Sequence, residues 1–90
     1  MFKIGICEDN KNFSAELKSI IEKKFFHYNI DCKISCFYSG EDLLDNILSS
    51  NEKYDIIFFD IDLPGLNGIE TAREIRNMDK NTIFVFITYL

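Results

Sequence analysis

The fold is decided by one segment of the chain, Tyr54-Asp55-Ile56-Ile57-Phe58-Phe59-Asp60-Ile61-Asp62-Leu63-Pro64-Gly65-Leu66-Asn67-Gly68. Its four consecutive apolar residues, Ile56 to Phe59, are β-branched or aromatic and too few for a helix, so they predict a strand buried on both faces of a parallel sheet. Asp60 follows at the C-terminal end of this strand, on the edge where ligands bind in open α/β sheets. Pro64-Gly65 predicts a turn, and Asn67-Gly68 leads into a helix. The segment therefore delivers a carboxylate to a fixed point beside a tight loop.

A strand and a helix are predicted at the start of the chain. Phe2 to Cys7 is a short apolar run that ends in Glu8-Asp9-Asn10, which is typical of a strand closed by two carboxylates. From about Lys11 the apolar residues recur at steps of three and four, which predicts an amphipathic helix capped by Asn10 or Asn12. These apolar residues are Phe13, Leu17, Ile20, Ile21, Phe25 and Tyr28.

A second strand and helix follow. Cys32 to Phe37 alternates in the period-two pattern of a half-buried strand, and its polar half predicts a position at the edge of the sheet. Ser39-Gly40-Glu41-Asp42 has the S-x-x-D form of a capping box. The helix behind it has one apolar side and ends at Ser49-Ser50-Asn51. That apolar side consists of Leu43, Leu44, Ile47 and Leu48.

The last part of the chain completes the alternation. A helix from about Gly68 is predicted to turn Ile69, Ala72 and Ile75 inward, and Ile83 to Ile87 is a fourth apolar strand. The order β-α-β-α-β-α-β implies right-handed crossovers and an α/β fold, a parallel sheet with helices on both faces. Ninety residues make one domain at most, residues 1–90.

Composition excludes several classes of function. The net charge is −5 and no basic cluster is longer than Lys23-Lys24, so nucleic acid and anionic membranes are poor partners. The three cysteines, Cys7, Cys32 and Cys36, are odd in number and lack zinc spacing, which indicates reduced thiols. No secretory leader or apolar run of membrane length is evident. We therefore expect a cytoplasmic protein.

Oxygen-bearing side chains follow several of the predicted strands. Because parallel strands present their C-terminal ends on one edge, Glu8, Asp9, Asp60 and Thr88 should converge there. Carboxylates close together repel one another unless a cation lies among them, and Mg²⁺ suits such a set. With Mg²⁺ bound, Asp60 could attack a phosphoryl group and form an aspartyl phosphate, while Thr88 donates a hydrogen bond. Each residue alone also has a simpler interpretation as a turn, cap or solvated surface residue, so the prediction depends on the combination.

These residues resemble a bacterial two-component response regulator receiver domain. The resemblance rests on Glu8-Asp9, on Asp60 to Gly68 in the D-x-x-[ML]-P-x-x-[DN]-G form, and on Thr88. The segment Phe37 to Leu44 and the closing Phe86-Ile87-Thr88-Tyr89 most resemble receivers that precede a LytTR-type DNA-binding domain.

The resemblance implies a fold and a site. The fold is flavodoxin-like, a doubly wound parallel sheet of strand order 2-1-3-4-5. Asp60 would accept a phosphoryl group from a sensor histidine kinase and so control an output domain, as a signalling domain and not as an enzyme. Mg²⁺ would be held by Glu8, Asp9, Asp60 and the backbone carbonyl of Asp62. Thr88 would report phosphorylation by moving toward the phosphoryl group.

The chain departs from the family pattern in two respects. Tyr89 stands where a small residue is usual. The family's fifth strand, the lysine before it and the last two helices are missing, so we expect a receiver incomplete at its C-terminus that phosphorylates poorly. The uncovered strand Ile83 to Ile87 is then an apolar edge, and we expect self-association through it.

Two other functions remain open from the sequence. Phe58-Phe59-Asp60-Ile61-Asp62 has the hydrophobic-D-x-D form of a haloacid-dehalogenase-like phosphohydrolase, although that motif normally follows the first strand. The other alternative is a pseudo-receiver, an interaction module that is never phosphorylated.

Overall fold

Helices and strands alternate along the whole described chain, in the predicted order. The computed structural model describes residues 1–63 and 65–87. The elements are β1 (Phe2–Cys7), α1 (Lys11–His27), β2 (Cys32–Phe37), α2 (Gly40–Ser50), β3 (Ile56–Asp60), α3 (Gly68–Met78) and β4 (Ile83–Ile87).

The four strands form one parallel sheet in the order β2-β1-β3-β4. This is the flavodoxin-like order predicted for these strands, and β2 lies at the edge as its half-polar pattern predicted. The chain order reverses between β1 and β3, which is the position where such sheets bind ligands beyond their carboxyl ends. In the register of these two strands Cys7 pairs with Phe59, so Glu8 and Asp60 leave the sheet side by side.

A core lies on each face of the sheet because successive side chains of a strand point to opposite sides. On one face, Ile4 and Ile6 pack with Ile21 of α1. On the other face, Ile57 and Phe59 pack beneath α2 and α3, whose buried residues include Leu43, Ala72 and Ile75.

The prediction that β3 is buried on both faces is wrong for one of them. Ile57 and Phe59 are fully buried, but Ile56 and Phe58 on the α1 side are only half-buried. The reason is that α1 packs over β1 and β2 and leaves this part of the sheet less covered.

Several residues assigned to the apolar sides of the helices are exposed instead. Ile20 of α1 is 57% exposed, Leu48 of α2 is 66% exposed and Ile69 of α3 is 46% exposed, while Tyr28 caps α1 and is 67% exposed. Each helix buries one stripe of its surface, and a three- or four-residue spacing does not distinguish the centre of that stripe from its margin.

Asparagine and serine side chains begin all three helices. The side-chain oxygens of Asn10, Ser39 and Asn67 accept hydrogen bonds from backbone N–H groups three residues later, at 3.0, 3.1 and 2.9 Å. Of the two caps considered for α1, the structure selects Asn10. Asn51 ends α2 in the left-handed conformation, with φ of 52°. These local bonds explain why the helix starts could be predicted from sequence.

Among the described strands, β4 pairs with β3 alone. Ile83, Val85 and Phe86 are exposed, in agreement with the predicted apolar edge. None of the helices described here has the length and apolar character needed to cross a membrane.

Candidate metal centre

Three of the predicted acidic residues meet at the carboxyl end of the sheet. Glu8 and Asp9 follow β1, and Asp60 is the last residue of the adjacent β3. One carboxylate oxygen from each lies within 4.8 Å of the other two. Asp9 and Asp60 are 51 positions apart in the sequence, so their proximity results from the parallel pairing of β1 with β3.

Burial of two of these side chains makes the repulsion between their negative charges costly. Glu8 is 2% exposed and Asp60 is 5% exposed, whereas Asp9 lies at the surface. Two carboxylates about 5 Å apart repel by roughly 3 kcal/mol at an effective dielectric constant of 20. A divalent cation among the three oxygens removes that repulsion. Mg²⁺ prefers oxygen ligands and commonly binds one or two carboxylates while keeping several water molecules, which requires a site that is open to solvent on one side. The donor set therefore fits a Mg²⁺ site that admits a second ligand from solvent.

The loop after β3 holds the carboxylate of Asp60. Its Oδ1 accepts a hydrogen bond from the backbone N–H of Asp62 at 3.0 Å. A side chain bonded to the backbone two residues ahead forms an Asx turn, which orients both the carboxylate and the loop. The side chain of Asp62 itself is exposed. The structure thus shows the backbone of Asp62 next to Asp60.

Gly68 packs against the backbone of Asp60. A Cβ atom at Gly68 would overlap the carbonyl oxygen of Asp60 and lie 3.3 Å from the Cβ of Phe59. Gly68 is the first residue of α3, and its N–H donates to the carbonyl of Ile61 at 3.4 Å. The start of α3 can therefore press directly against the end of β3. Sequence reasoning read Gly68 as a helix start and missed this contact, although its place in the motif was a signal.

A second glycine, Gly40, lets the start of α2 pack closely against α3. A Cβ atom at Gly40 would overlap Oγ1 of Thr71 and lie 2.8 Å from the carbonyl oxygen of Leu66. Thr71 is fully buried and its hydroxyl donates to the carbonyl of Asn67 at 2.8 Å. Gly65, in the loop between β3 and α3, has a φ of 71°, a conformation that favours glycine. The starts of both helices thus hold the loop that carries Asp60 and Asp62.

Cys7 lies next to the cluster as a buried, protonated thiol. Burial, reinforced by the negative charges of Asp60 and Glu8, raises the pKa of its thiol to about 12. The neutral thiol points to the carbonyl of Ser39, with Sγ 3.4 Å from that oxygen. A protonated thiol is neither a good metal ligand nor a nucleophile. The interpretation of Cys7 as a buried reduced thiol agrees with this environment.

Thr88 and Tyr89, predicted beside the site, lie outside the described residues, as does Pro64. The nearest described residue of β4 is Ile87, which pairs with Asp60 in the register. Its carbonyl accepts a hydrogen bond from the N–H of Ile61 at 3.3 Å. The C-terminal end of the described part of β4 is therefore hydrogen-bonded to the segment that carries Asp60, beside the acidic cluster.

Known proteins resemble this chain in sequence and in fold. The sequence profile of the family described as Response regulator receiver domain matches residues 4–90. The response regulator ArlR of Staphylococcus aureus is 36% identical over 85 residues, which are 94% of this chain and 35% of that protein. The chain thus spans about a third of the length of the curated relatives it matches.

Solved structures with the same fold include two from other bacteria. The response regulator TrrA from Thermotoga maritima, solved in complex with Mg²⁺ and a beryllium fluoride, has a TM-score of 0.82 and 28% identity. That match covers 98% of this chain and 70% of the TrrA chain. The response regulatory domain of mrkE from Klebsiella pneumoniae has a TM-score of 0.79 and 30% identity, covering 99% of this chain and 68% of the other.

Proposed function

The chain belongs to the response regulator receiver domain family, and from that premise we propose that Asp60 accepts a phosphoryl group from a sensor histidine kinase. The observation that carries the proposal is the meeting of the Glu8, Asp9 and Asp60 carboxylate oxygens within 4.8 Å at the switch point of the sheet. Receiver domains act as signalling domains, and here the phosphorylated carboxylate is the signal.

Mg²⁺ is the proposed cofactor. Glu8, Asp9, Asp60 and the backbone carbonyl of Asp62 would hold it, and the bound ion would supply positive charge that offsets the carboxylates and the incoming phosphoryl oxygens. Support comes from the buried acidic pair and from the backbone of Asp62, whose N–H already contacts Oδ1 of Asp60. The Mg²⁺ named in the TrrA structure is consistent with this choice.

The protein's own part in the transfer is positioning. Oδ1 of Asp60 is held by the N–H of Asp62, so we assign the attack on phosphorus to Oδ2. A P–N bond of the donor phosphohistidine breaks as the P–O bond to Asp60 forms, and a proton goes to the leaving imidazole. Because the transition state is loose, orientation and charge neutralisation supply most of the acceleration.

Thr88 is proposed to donate a hydrogen bond to the phosphoryl group and to report its presence. The support is positional, since Ile87 pairs with Asp60 and Thr88 is the next residue. Such a bond would shift an equilibrium between two conformations of the surface near β4.

The output is proposed to be transcriptional. The matched relatives are nearly three times as long as this chain, so a further domain can respond to Asp60. A DNA-binding domain of the LytTR type is our specific proposal, with the whole protein cytoplasmic. A basic domain encoded directly downstream in the gene would support it, and an enzymatic domain there would contradict it.

Self-association through β4 is a further part of the proposal. Ile83, Val85 and Phe86 are exposed on a strand that pairs on one side among the residues described. An unpaired strand edge presents free N–H and C=O groups to another chain. Sedimentation of the chain at high concentration tests this, and a charged residue at Val85 should prevent the association.

The decisive experiment is incubation of the chain with Mg²⁺ and acetyl phosphate, followed by intact-mass spectrometry. We expect the mass of one phosphoryl group to be added, on Asp60, and to be absent from Asp60→Asn or when EDTA replaces Mg²⁺. Circular dichroism should show that Asp60→Asn is folded.

Other outcomes identify the alternatives. Continuous release of phosphate that Asp62→Asn abolishes would indicate a haloacid-dehalogenase-like phosphohydrolase. Neither adduct nor turnover, in a folded chain that also fails with a panel of phosphorylated histidine kinases, would indicate a pseudo-receiver.

A further inference from the structure

A cavity lies between the C-terminal ends of α2 and α3, at the end of the sheet opposite the acidic cluster. Its volume is about 130 Å³. The buried Ile57 and Ile75 and the half-buried Ile47 line its interior. Leu48 and Met78 also line the cavity, and both of these side chains are exposed to solvent. The cavity is therefore apolar inside and is flanked at its opening by two exposed apolar side chains.

The buried polar atoms around the cavity already have hydrogen-bond partners. The O–H of Tyr54 donates to Oδ1 of Asn46 at 2.7 Å. Oγ1 of Thr82 lies 2.8 Å from the carbonyl oxygen of Tyr54 and 2.9 Å from Oδ2 of Asp79. Among the described residues that line the cavity, none has a buried side-chain nitrogen or oxygen without a partner. Since an internal water molecule needs about two to four polar partners, the interior offers little to water.

Charged residues of both signs surround the opening. Lys53 lines the cavity together with Glu52 and Asp79, and Oε1 of Glu52 lies 3.5 and 4.0 Å from the ammonium groups of two further lysines. An anionic ligand would meet carboxylates and a cationic ligand would meet lysines, so neither charge is favoured. An uncharged ligand binds without removing water from an ionised group of its own. The lysines concerned are Lys3, Lys33, Lys53 and Lys80, and the carboxylates are Glu52, Asp55 and Asp79.

We propose that this cavity binds one small uncharged aromatic molecule, the size of a single six-membered ring. An apolar protein cavity of about 150 Å³ stays dry and takes up benzene, so the volume here suits one ring. Leu48 and Met78 would close over the ring and bury apolar surface that is now exposed. The unbranched thioether of Met78 adapts readily to an aromatic surface. The site involves neither Asp60 nor β4, so its occupation is independent of the proposed phosphorylation.

Toluene, benzoate and benzylammonium test the proposal, because they share one ring and differ in charge. Each probe is titrated into the full chain, and proton–carbon correlation NMR follows the methyl groups of Ile57, Ile75 and Met78. Toluene should shift these methyl signals and saturate with a dissociation constant of roughly 1 mM. Benzoate and benzylammonium should each bind at least about tenfold more weakly, because their ionised groups lose water at the cavity.

Two variants assign the toluene signals to the cavity. Ile75→Phe fills the cavity with a ring of the protein's own and should weaken toluene binding at least about tenfold. Leu48→Gln with Met78→Gln keeps the length of both side chains at the opening, removes their apolar ends and should weaken binding at least about threefold. Leu48 and Met78 are exposed, so this double variant should fold even if Ile75→Phe does not. Circular dichroism checks the fold of both.

Ile20→Gln with Ile69→Gln is the matched control, because these two isoleucines are also exposed on helices and do not line the cavity. It should bind toluene like the unmodified chain. The proposal is overturned if toluene shifts no methyl signal of Ile57 up to the limit of its solubility, if either folded cavity variant binds toluene unchanged, or if the control weakens binding as much as they do. Binding of benzoate or benzylammonium as tight as that of toluene would overturn the assignment of an uncharged ligand.

Discussion

Gly68 packs directly against the main-chain carbonyl of Asp60, so closely that even a single added methyl group would overlap that oxygen. The first residue of α3 thereby sets the position of the last residue of β3. The contact couples the helix that follows the loop to the carboxylate that precedes it, and it depends on the absence of a side chain at position 68.

Replacing Gly68 by alanine should displace Asp60. Overpacking at backbone atoms costs about 1–3 kcal/mol, more than the gain of roughly 1 kcal/mol in helix propensity. We expect lower stability to urea, at least about tenfold weaker Mg²⁺ binding by NMR titration, and slower phosphorylation of Asp60. The loss of Mg²⁺ affinity in a folded variant separates a positioning role from simple destabilisation.

Gly5→Ala is the matched control for this change. A Cβ atom there would meet Ile57 at 3.4 Å, an ordinary contact. It should alter Mg²⁺ binding little. Unchanged Mg²⁺ affinity in Gly68→Ala would contradict the role assigned to Gly68.

Tyr54 should make the fold sensitive to alkali. Burial, followed by the charge of Glu52, raises the pKa of its phenol to about 12, and its O–H donates to Oδ1 of Asn46 at 2.7 Å. Since the unfolded phenol titrates near 10, the stabilisation is complete below pH 10 and is lost as the pH rises to 12. Tyr54→Phe should cost about 1 kcal/mol at pH 7, and between pH 7 and pH 11 it should lose about 1.4 kcal/mol less stability than the unmodified chain.

Urea unfolding at pH 7, 10 and 11 measures both effects. Asn46→Ala provides the control, because it removes the hydrogen-bond acceptor and leaves the buried phenol. It should retain the alkaline loss of stability. Parallel alkaline curves for Tyr54→Phe and the unmodified chain would show that Tyr54 ionises equally in both states.

Arg76 should stabilise the connection between α3 and β4. Its guanidinium donates to the carbonyl oxygens of Asp79 at 3.2 Å and Thr82 at 2.7 Å, and its Cζ lies 4.0 Å from the ring centroid of Phe84. Lysine cannot reproduce the planar two-pronged contact or the stacking. Arg76→Lys should therefore lose about 1–2 kcal/mol in thermal or urea unfolding.

The exposed Arg73 on the same helix offers a matched substitution. Arg73→Lys should change stability by less than about 0.5 kcal/mol. Equal effects of the two substitutions would mean that the contacts of Arg76 contribute nothing specific.

Some of the site was predictable, and the limits have physical causes. Glu8, Asp9 and Asp60 were assigned to one edge because a parallel sheet aligns the ends of its strands. The contact of Gly68 with Asp60 was missed, as was that of Gly40 with Thr71, because each joins segments whose separation depends on how helices pack. Ile20 and Leu48 were placed with the buried residues because spacing reports helical periodicity and not the width of the surface that a helix covers.

The amino-acid sequence alone determined the order of helices and strands, the cap at Ser39, and the edge of the sheet at which the carboxylates gather. These follow from hydrophobic periodicity and from hydrogen bonds within a few residues. Only the tertiary structure decided that three carboxylate oxygens meet within 4.8 Å, and that Gly40 at the start of α2 packs against Thr71 of α3. Those features depend on distances between residues far apart in the chain, which packing of the two cores sets.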